Sequence, residues 1–180
     1  MRICLALSCF VTALSLVACE TAPKTSAERE VLAAEVATTM TRFRLADPTL
    51  QELLDKAVGW AVFPDVGKAG LGVGGAYGRG ELYEGGRMVG FCDVTQGTVG
   101  LQLGAQTFSE LVVFMRQSDL DAFRGEVYEF AANVSAIAIK EGAARSVDYS
   151  KGVVVFTIAK GGLMAEASVG GQRFSFRPLH

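Results

Sequence analysis

The sequence predicts an α+β fold: N-terminal helices followed by a mainly antiparallel, curved β-sheet that makes a sandwich or partial barrel. Three observations carry this. An early stretch repeats apolar residues at helical spacing behind a capping box, the period changes to two from Trp60 onward, and glycines rather than long helices separate the alternating segments.

The chain opens M-R-I-C-L-A-L-S-C-F-V-T-A-L-S-L-V-A-C-E, with one cation at Arg2 and then an apolar and small-residue run from Ile3 to Ala18. This is the pattern of a secretory signal, too short and wrongly flanked for a spanning helix. Its end, Leu16-Val17-Ala18-Cys19, resembles the lipobox of bacterial lipoproteins. The resemblance implies a signal peptide at 1–18, an acylated Cys19 with a short tether at 19–25, and a folded domain at 26–180. Of the four cysteines, Cys4 and Cys9 leave with the signal, Cys19 carries lipid and Cys92 remains, so no intramolecular disulfide framework forms. Cys92, in the run M-V-G-F-C-D-V, reads as a buried thiol without a role.

Loss of residues 1–18 removes Arg2 and no acid, moving the formal charge from −2 to −3. A duplex-binding domain needs a basic excess or stripe, so nucleic acid is excluded as a partner. The remaining residues fit one domain.

Thr25 and Glu28 form a T-x-x-E capping box, and Val31, Leu32, Glu35, Val36, Thr39, Met40 and Phe43 recur at helical spacing, so a first helix is expected from Ser26 to Leu45. Asp47 is expected to cap a second helix, with Pro48 in its first turn and Gly59 at its end. Beyond Trp60, K-A-G-L-G-V-G-G-A-Y-G-R-G-E-L-Y contains G-x-G-x-x-G at Gly70, Gly72 and Gly75. A dinucleotide cradle requires a helix after the third glycine, and A-Y-G-R-G cannot supply one. At period two, Ala69, Leu71 and Val73 oppose Gly70, Gly72 and Gly74, a strand with one bare face. Gly70, Gly72, Gly74 and Gly75 are therefore expected to admit close approach, more often by a packed element than by a ligand.

Val99, Leu101, Leu103 and Ala105 alternate as a strand, and Glu110 to Met115 reads as a further one. Ser118 and Asp121 can cap a short helix through Phe123. Glu126 to Ile139 is ambiguous, with helix favoured in its first half. Gly152 to Ala159, Leu163 to Val169 and Arg173 to Arg177 read as strands joined in antiparallel hairpins by turns at Lys160-Gly161-Gly162 and Gly170-Gly171-Gln172.

Histidine chemistry is excluded by composition, because the single histidine is the terminal His180. No nucleophile elbow, Walker loop, H-E-x-x-H or C-x-x-C occurs, and the carboxylates are scattered, with Asp93 read as ending a strand and Glu166 as facing solvent. No enzyme activity, metal or cofactor is expected.

Three blocks in order, W-A-V-F-P-D-V-G-K-A-G-L-G-V-G-G-A-Y-G-R-G-E-L, T-V-G-L-Q-L-G-A-Q and K-G-G-L-M-A-E-A-S-V-G-G, resemble the SYLF-domain family of lipid-binding proteins over about Leu53 to Phe176. That resemblance implies phospholipid, including phosphoinositide-type anionic head groups, as the partner, beside the protein's own acyl anchor. Lys68, Arg79, Arg87 and Lys160, each beside a glycine turn or ladder, are the head-group candidates. The lipobox implies a lipid-anchored, periplasm-facing protein of the bacterial cell envelope, with the outer membrane the commoner destination. The alternative is a structural or adaptor envelope lipoprotein that binds protein or peptidoglycan without reading lipid.

Overall fold

Helix α1 (Ser26–Ala46) begins at the predicted capping box: the Thr25 hydroxyl accepts from the Glu28 N–H at 3.1 Å, and the Glu28 carboxylate accepts from the Thr25 N–H at 3.4 Å. The computed structural model describes residues 22–125, 128–130, 136–161, 169 and 171–179, excepting the side chains at 70–73, 98–104, 149 and 161. The signal, Cys19 and the expected strand through Leu163 and Glu166 lie outside the described residues. Leu32, Val36, Met40 and Phe43 form the buried stripe of α1, whereas Val31 is 58% exposed.

Asp47 does not cap the next helix. Thr49 precedes α2 (Leu50–Lys56), and Asp47 instead ties a turn, accepting from the Thr49 N–H and hydroxyl and, across the fold, from the N–H groups of Gly142 (3.1 Å) and Ala144 (2.7 Å). A buried aspartate gains more from four donors than from one helix end.

The segments read as separate strands fuse into two long ones, β1 (Gly59–Glu84) and β2 (Arg87–Phe114), paired antiparallel from Gly59↔Phe114 to Glu84↔Arg87. The turn between them is Gly85-Gly86, both at positive φ, as a two-residue hairpin demands. A straight strand of this length would extend on the order of 85 Å, far beyond a domain of this size, so the pair must bend. Register shifts mark the bends at Phe63/Val66, Leu71/Val73 and Leu82/Tyr83. At the first, Pro64 needs no ladder donor and its carbonyl takes the Ser109 hydroxyl at 2.7 Å. The curl brings the end of β1 back to its beginning, where the Gly85 N–H donates to the Val58 carbonyl at 3.4 Å. The shift at Leu71/Val73 falls within the glycine ladder, whose expected alternation over residues 70–73 lies outside the described side chains.

On the β2 edge away from β1, two strands dock at different levels: β5 (Val153–Gly161) on Thr107 to Phe114, and β6 (Arg173–Pro178) on Gly90 to Thr95. The strand expected between them, Leu163 to Val169, and so its hairpins with β5 and β6, fall largely outside the described residues; Lys160 and Gly161, expected in a turn, end β5. The short β3 (Tyr128–Glu129) pairs with β6, and β4 (Ile137–Ala138) lies parallel to β5. Tyr128–Glu129 corrects the helix favoured there. Helix α3 (Gln117–Phe123) follows β2 with Arg116 at its N-cap, two residues earlier than a Ser118 cap would give. The result is a half-barrel of a curled, mostly antiparallel sheet, α+β in class.

Its inner face holds an aromatic core, with Phe174 between Phe130 (4.7 Å) and Phe123 (5.2 Å) and Phe63 at 5.6 Å. The outer face of β1 and β2, including Val62, Leu111 and Val113, takes α1 and α2. Each fully buried Phe or Leu contributes roughly 1.5–3 kcal/mol, so both faces are needed to hold the curl.

Candidate ligand site

Close approach is seen in β1 at two glycines beyond those singled out in the sequence. A Cβ at Gly78 would lie 2.7 Å from the Asp65 carbonyl, and one at Gly80 would collide with the Val62 carbonyl. These glycines let the second half of β1 cross the first almost backbone to backbone. Gly75 is exposed, and a Cβ there would meet only the Gln96 carbonyl at 3.4 Å. Gly74 is half-buried, and the surroundings of Gly70 and Gly72 are not described.

Past this crossing the inner face changes from apolar to polar. Val66 belongs to the core, and Lys68, two residues on and on the same face, is only 8% exposed. Gln106 stands directly across the ladder from Lys68, and Gln96, also buried, stands across from Ala76 in the facing layer. A Cβ at Gly67 would lie 4.0 Å from the Tyr77 carbonyl, which puts these two pairs at one level. Burial lowers the Lys68 pKa, and among the described residues its ammonium has neither a carboxylate nor another acceptor. An ammonium withdrawn from water without an acceptor is costly, and an anion is the group that offsets the cost.

The other three candidate cations do not join Lys68. Lys160 is paired with Asp65 at 2.7 Å. Arg79 is half-buried on the outer face, donates from Nε to the Tyr77 hydroxyl at 3.0 Å and lies across the ladder from Asp93. It borders a groove of about 390 Å³ with Pro23, Ala27, Val31 and Asp65. Arg87 is exposed beside the hairpin turn, paired in register with Glu84. Lys68, Arg79 and Lys160 thus surround the bent end of the hairpin on two faces, and Arg87 belongs to the opposite end.

Three acids escaped the sequence reading. Asp93 does not end a strand: it lies mid-strand in β2 and is buried. Glu81 is buried and takes the Tyr83 hydroxyl at 2.7 Å; burial raises its pKa, partly opposed by that bond, and Tyr83 is pushed up in turn. Glu110 is fully buried on the inner face of β2, where the alternation Glu110, Val112, Phe114 was itself a signal. Cys92 is buried as expected, its thiol pushed up by burial and then by the nearby Asp93, Glu81 and Glu110. Among the described residues no cluster of three or more histidine, cysteine or acidic side chains suits a metal, and no helix is long and apolar enough to cross a membrane.

Fold and site together define an α+β half-barrel with a cation set inside its polar end. The chain is similar to the beta cell expansion factor A of Aeromonas veronii, 26% identical over 156 residues, which is 84% of this chain and 59% of that protein. The chain thus spans about three-fifths of the length of the curated relative it matches. No family model matches.

Proposed function

We propose that this is a SYLF-type, lipid-anchored envelope protein whose half-barrel binds the phosphate-bearing head group of an anionic phospholipid, with Lys68 as the central cation and no enzymatic step. The observation that carries the reading is the buried Lys68 ammonium, without an acceptor among the described residues, in a chain of net negative charge. An apolar floor of Val66, Phe108 and Val94 continues from it and suits the start of an acyl chain. The anchor supports the same end of the molecule: Pro23 borders the Arg79 groove, and four residues span at most about 14 Å, so an acylated Cys19 would hold the bent end of the hairpin at the bilayer.

Two experiments test the reading. Residues 20–180 should float with phosphatidylglycerol vesicles and not with phosphatidylcholine vesicles, weakening with salt because exposed ionic contacts are screened over about 8 Å at physiological ionic strength. Lys68→Ala should reduce that binding about tenfold, and Lys160→Ala much less. Absence of wild-type flotation would favour an adaptor that binds protein or peptidoglycan. Separately, Cys19→Ser should abolish detergent-phase partitioning of the full chain and Cys92→Ser should not, since stable anchoring needs more than one acyl chain. Unchanged partitioning of the Cys19 variant would refute the anchor.

A further inference from the structure

We propose that Glu110 and Gln172 form a proton-dependent latch between the two layers of the half-barrel, closed when the carboxyl is protonated and opened when it is not. Glu110 lies in the half of β2 that carries β5, paired in register with Phe63 and Thr157. Gln172 immediately precedes β6, which is carried by the other half of β2. Both side chains are fully buried, and Gln172 Nε2 donates to Glu110 Oε2 at 3.0 Å.

That bond leaves an unusual remainder. Glu110 Oε1 and Gln172 Oε1, the second oxygens of the same two groups, are buried and have no hydrogen-bond partner among the described residues. As a carboxylate, Glu110 adds a buried charge to two orphaned acceptors, each costly to leave unmade. A single proton on Oε1 turns one acceptor into a donor and closes a carboxylic acid–amide ring with two hydrogen bonds. Release of that proton to solvent leaves two oxygens that repel each other and one hydrogen bond in the latch.

The groups around Glu110 favour the protonated form. From β1 it faces Phe63, from β5 Thr157, and from the turn before β6 Gln172. The Cys92 thiol on β2 is near enough to feel its charge, together with the charges of Glu81 and Asp93. Lys68, the cation of the same inner face, stands at the Gln106 pair, with the register shift at Phe63/Val66 between them. Among the described residues no cation pairs with Glu110. Burial accordingly pushes its carboxyl up to about 7, against the opposing bond from Gln172.

Opening would be felt locally. The Gln172 carbonyl accepts from the Phe130 N–H at 2.9 Å, the Gly171 N–H donates to the Phe130 carbonyl at 3.0 Å, and Phe130 packs on Phe174. Loss of the latch frees this corner of the aromatic core, independently of any lipid.

The test follows the glutamate carboxyl carbons by NMR from pH 5 to 9 in wild type and Glu110→Gln, with amide hydrogen exchange at Phe130 and Gly171 corrected for the intrinsic rate. The latch predicts one carboxyl, missing from Glu110→Gln, titrating near pH 7. It also predicts exchange at both amides at least tenfold faster at pH 8.5 than at pH 6 in wild type, and pH-independent in the variant. Gln172→Ala, which removes the latch in both protonation states, should leave Phe130 exchange fast at both pH values. A Glu110 carboxyl titrating in the ordinary range overturns the proposal, as does identical pH dependence of exchange in wild type and Glu110→Gln. If Glu110→Gln does not fold, the wild-type titration and Gln172→Ala decide.

Discussion

Asp47 and Glu110 are both fully buried carboxyls, yet they sit in opposite surroundings. On the helical side, burial pushes the Asp47 pKa up, but hydrogen bonds from Ala144, Thr49 and Gly142 outweigh it and hold the carboxyl below its usual range. On the inner face, burial meets one bond from Gln172, and the Glu110 carboxyl stays high. Burial is therefore not what decides the state of a carboxylate here; the number of donors aimed at it is. In the outer layer both Asp47 oxygens are occupied, which makes it a structural joint. The inner layer keeps groups whose charge is unsettled, Glu110 and Lys68, and those are the groups that can respond to a proton or an anion.

The contrast is broken most severely at Asp47. Asp47→Ala leaves the Gly142 and Ala144 donors buried without their partner and should cost about 3 kcal/mol, seen as a lower urea midpoint with an unchanged slope. A loss below 1 kcal/mol would mean that water replaces the carboxylate. Next comes the pH profile, in which the two acids act with opposite sign. The lowered Asp47 pKa gives stability that is present above its usual value of 3.8 and lost as pH falls through its native one. The raised Glu110 pKa gives stability that is full below 4.5 and lost as pH rises through about 7, roughly 3 kcal/mol in all at about 1.4 kcal/mol per unit. Unfolding free energy should thus decline from pH 5 to 8, and Glu110→Gln should flatten that decline and be the more stable protein at pH 8. A parallel decline in both would place the titrating group elsewhere. The smallest effect belongs to Lys160→Ala, where a surface pair with Asp65 is removed and less than about 1 kcal/mol should be lost in thermal melts.

What was legible in the sequence was what local chemistry decides. The Thr25–Glu28 box, the α1 stripe and the buried Cys92 could be read because neighbours in sequence determine them. The continuity of β1 and β2 could not, since glycines that resemble turns, such as Gly78 and Gly80, serve as crossing points only once the strand has curled back on Val62 and Asp65. The Asp47 joint was missed because two of its donors lie near residue 143, and Asp93 because its burial depends on β6 pairing beside it. The four cations were singled out by glycine proximity, which did not separate Lys68, turned inward, from Lys160, which Asp65 occupies. The alternation past Val66 was the additional clue that pointed Lys68 inside.

The central claim, that the inner-face cation is the one that meets the ligand, is tested most directly on the Lys68 amine itself. Its pKa can be followed by NMR in lysine-labelled protein, assigned with Lys68→Ala, before and after addition of short-chain phosphatidylglycerol below its micelle concentration. The account predicts a Lys68 pKa below the usual lysine value in the free protein that rises on titration with the lipid, because a phosphate favours the charged form, with little change at Lys160. A Lys68 pKa unmoved by saturating lipid, or a shift confined to Lys160, would contradict it.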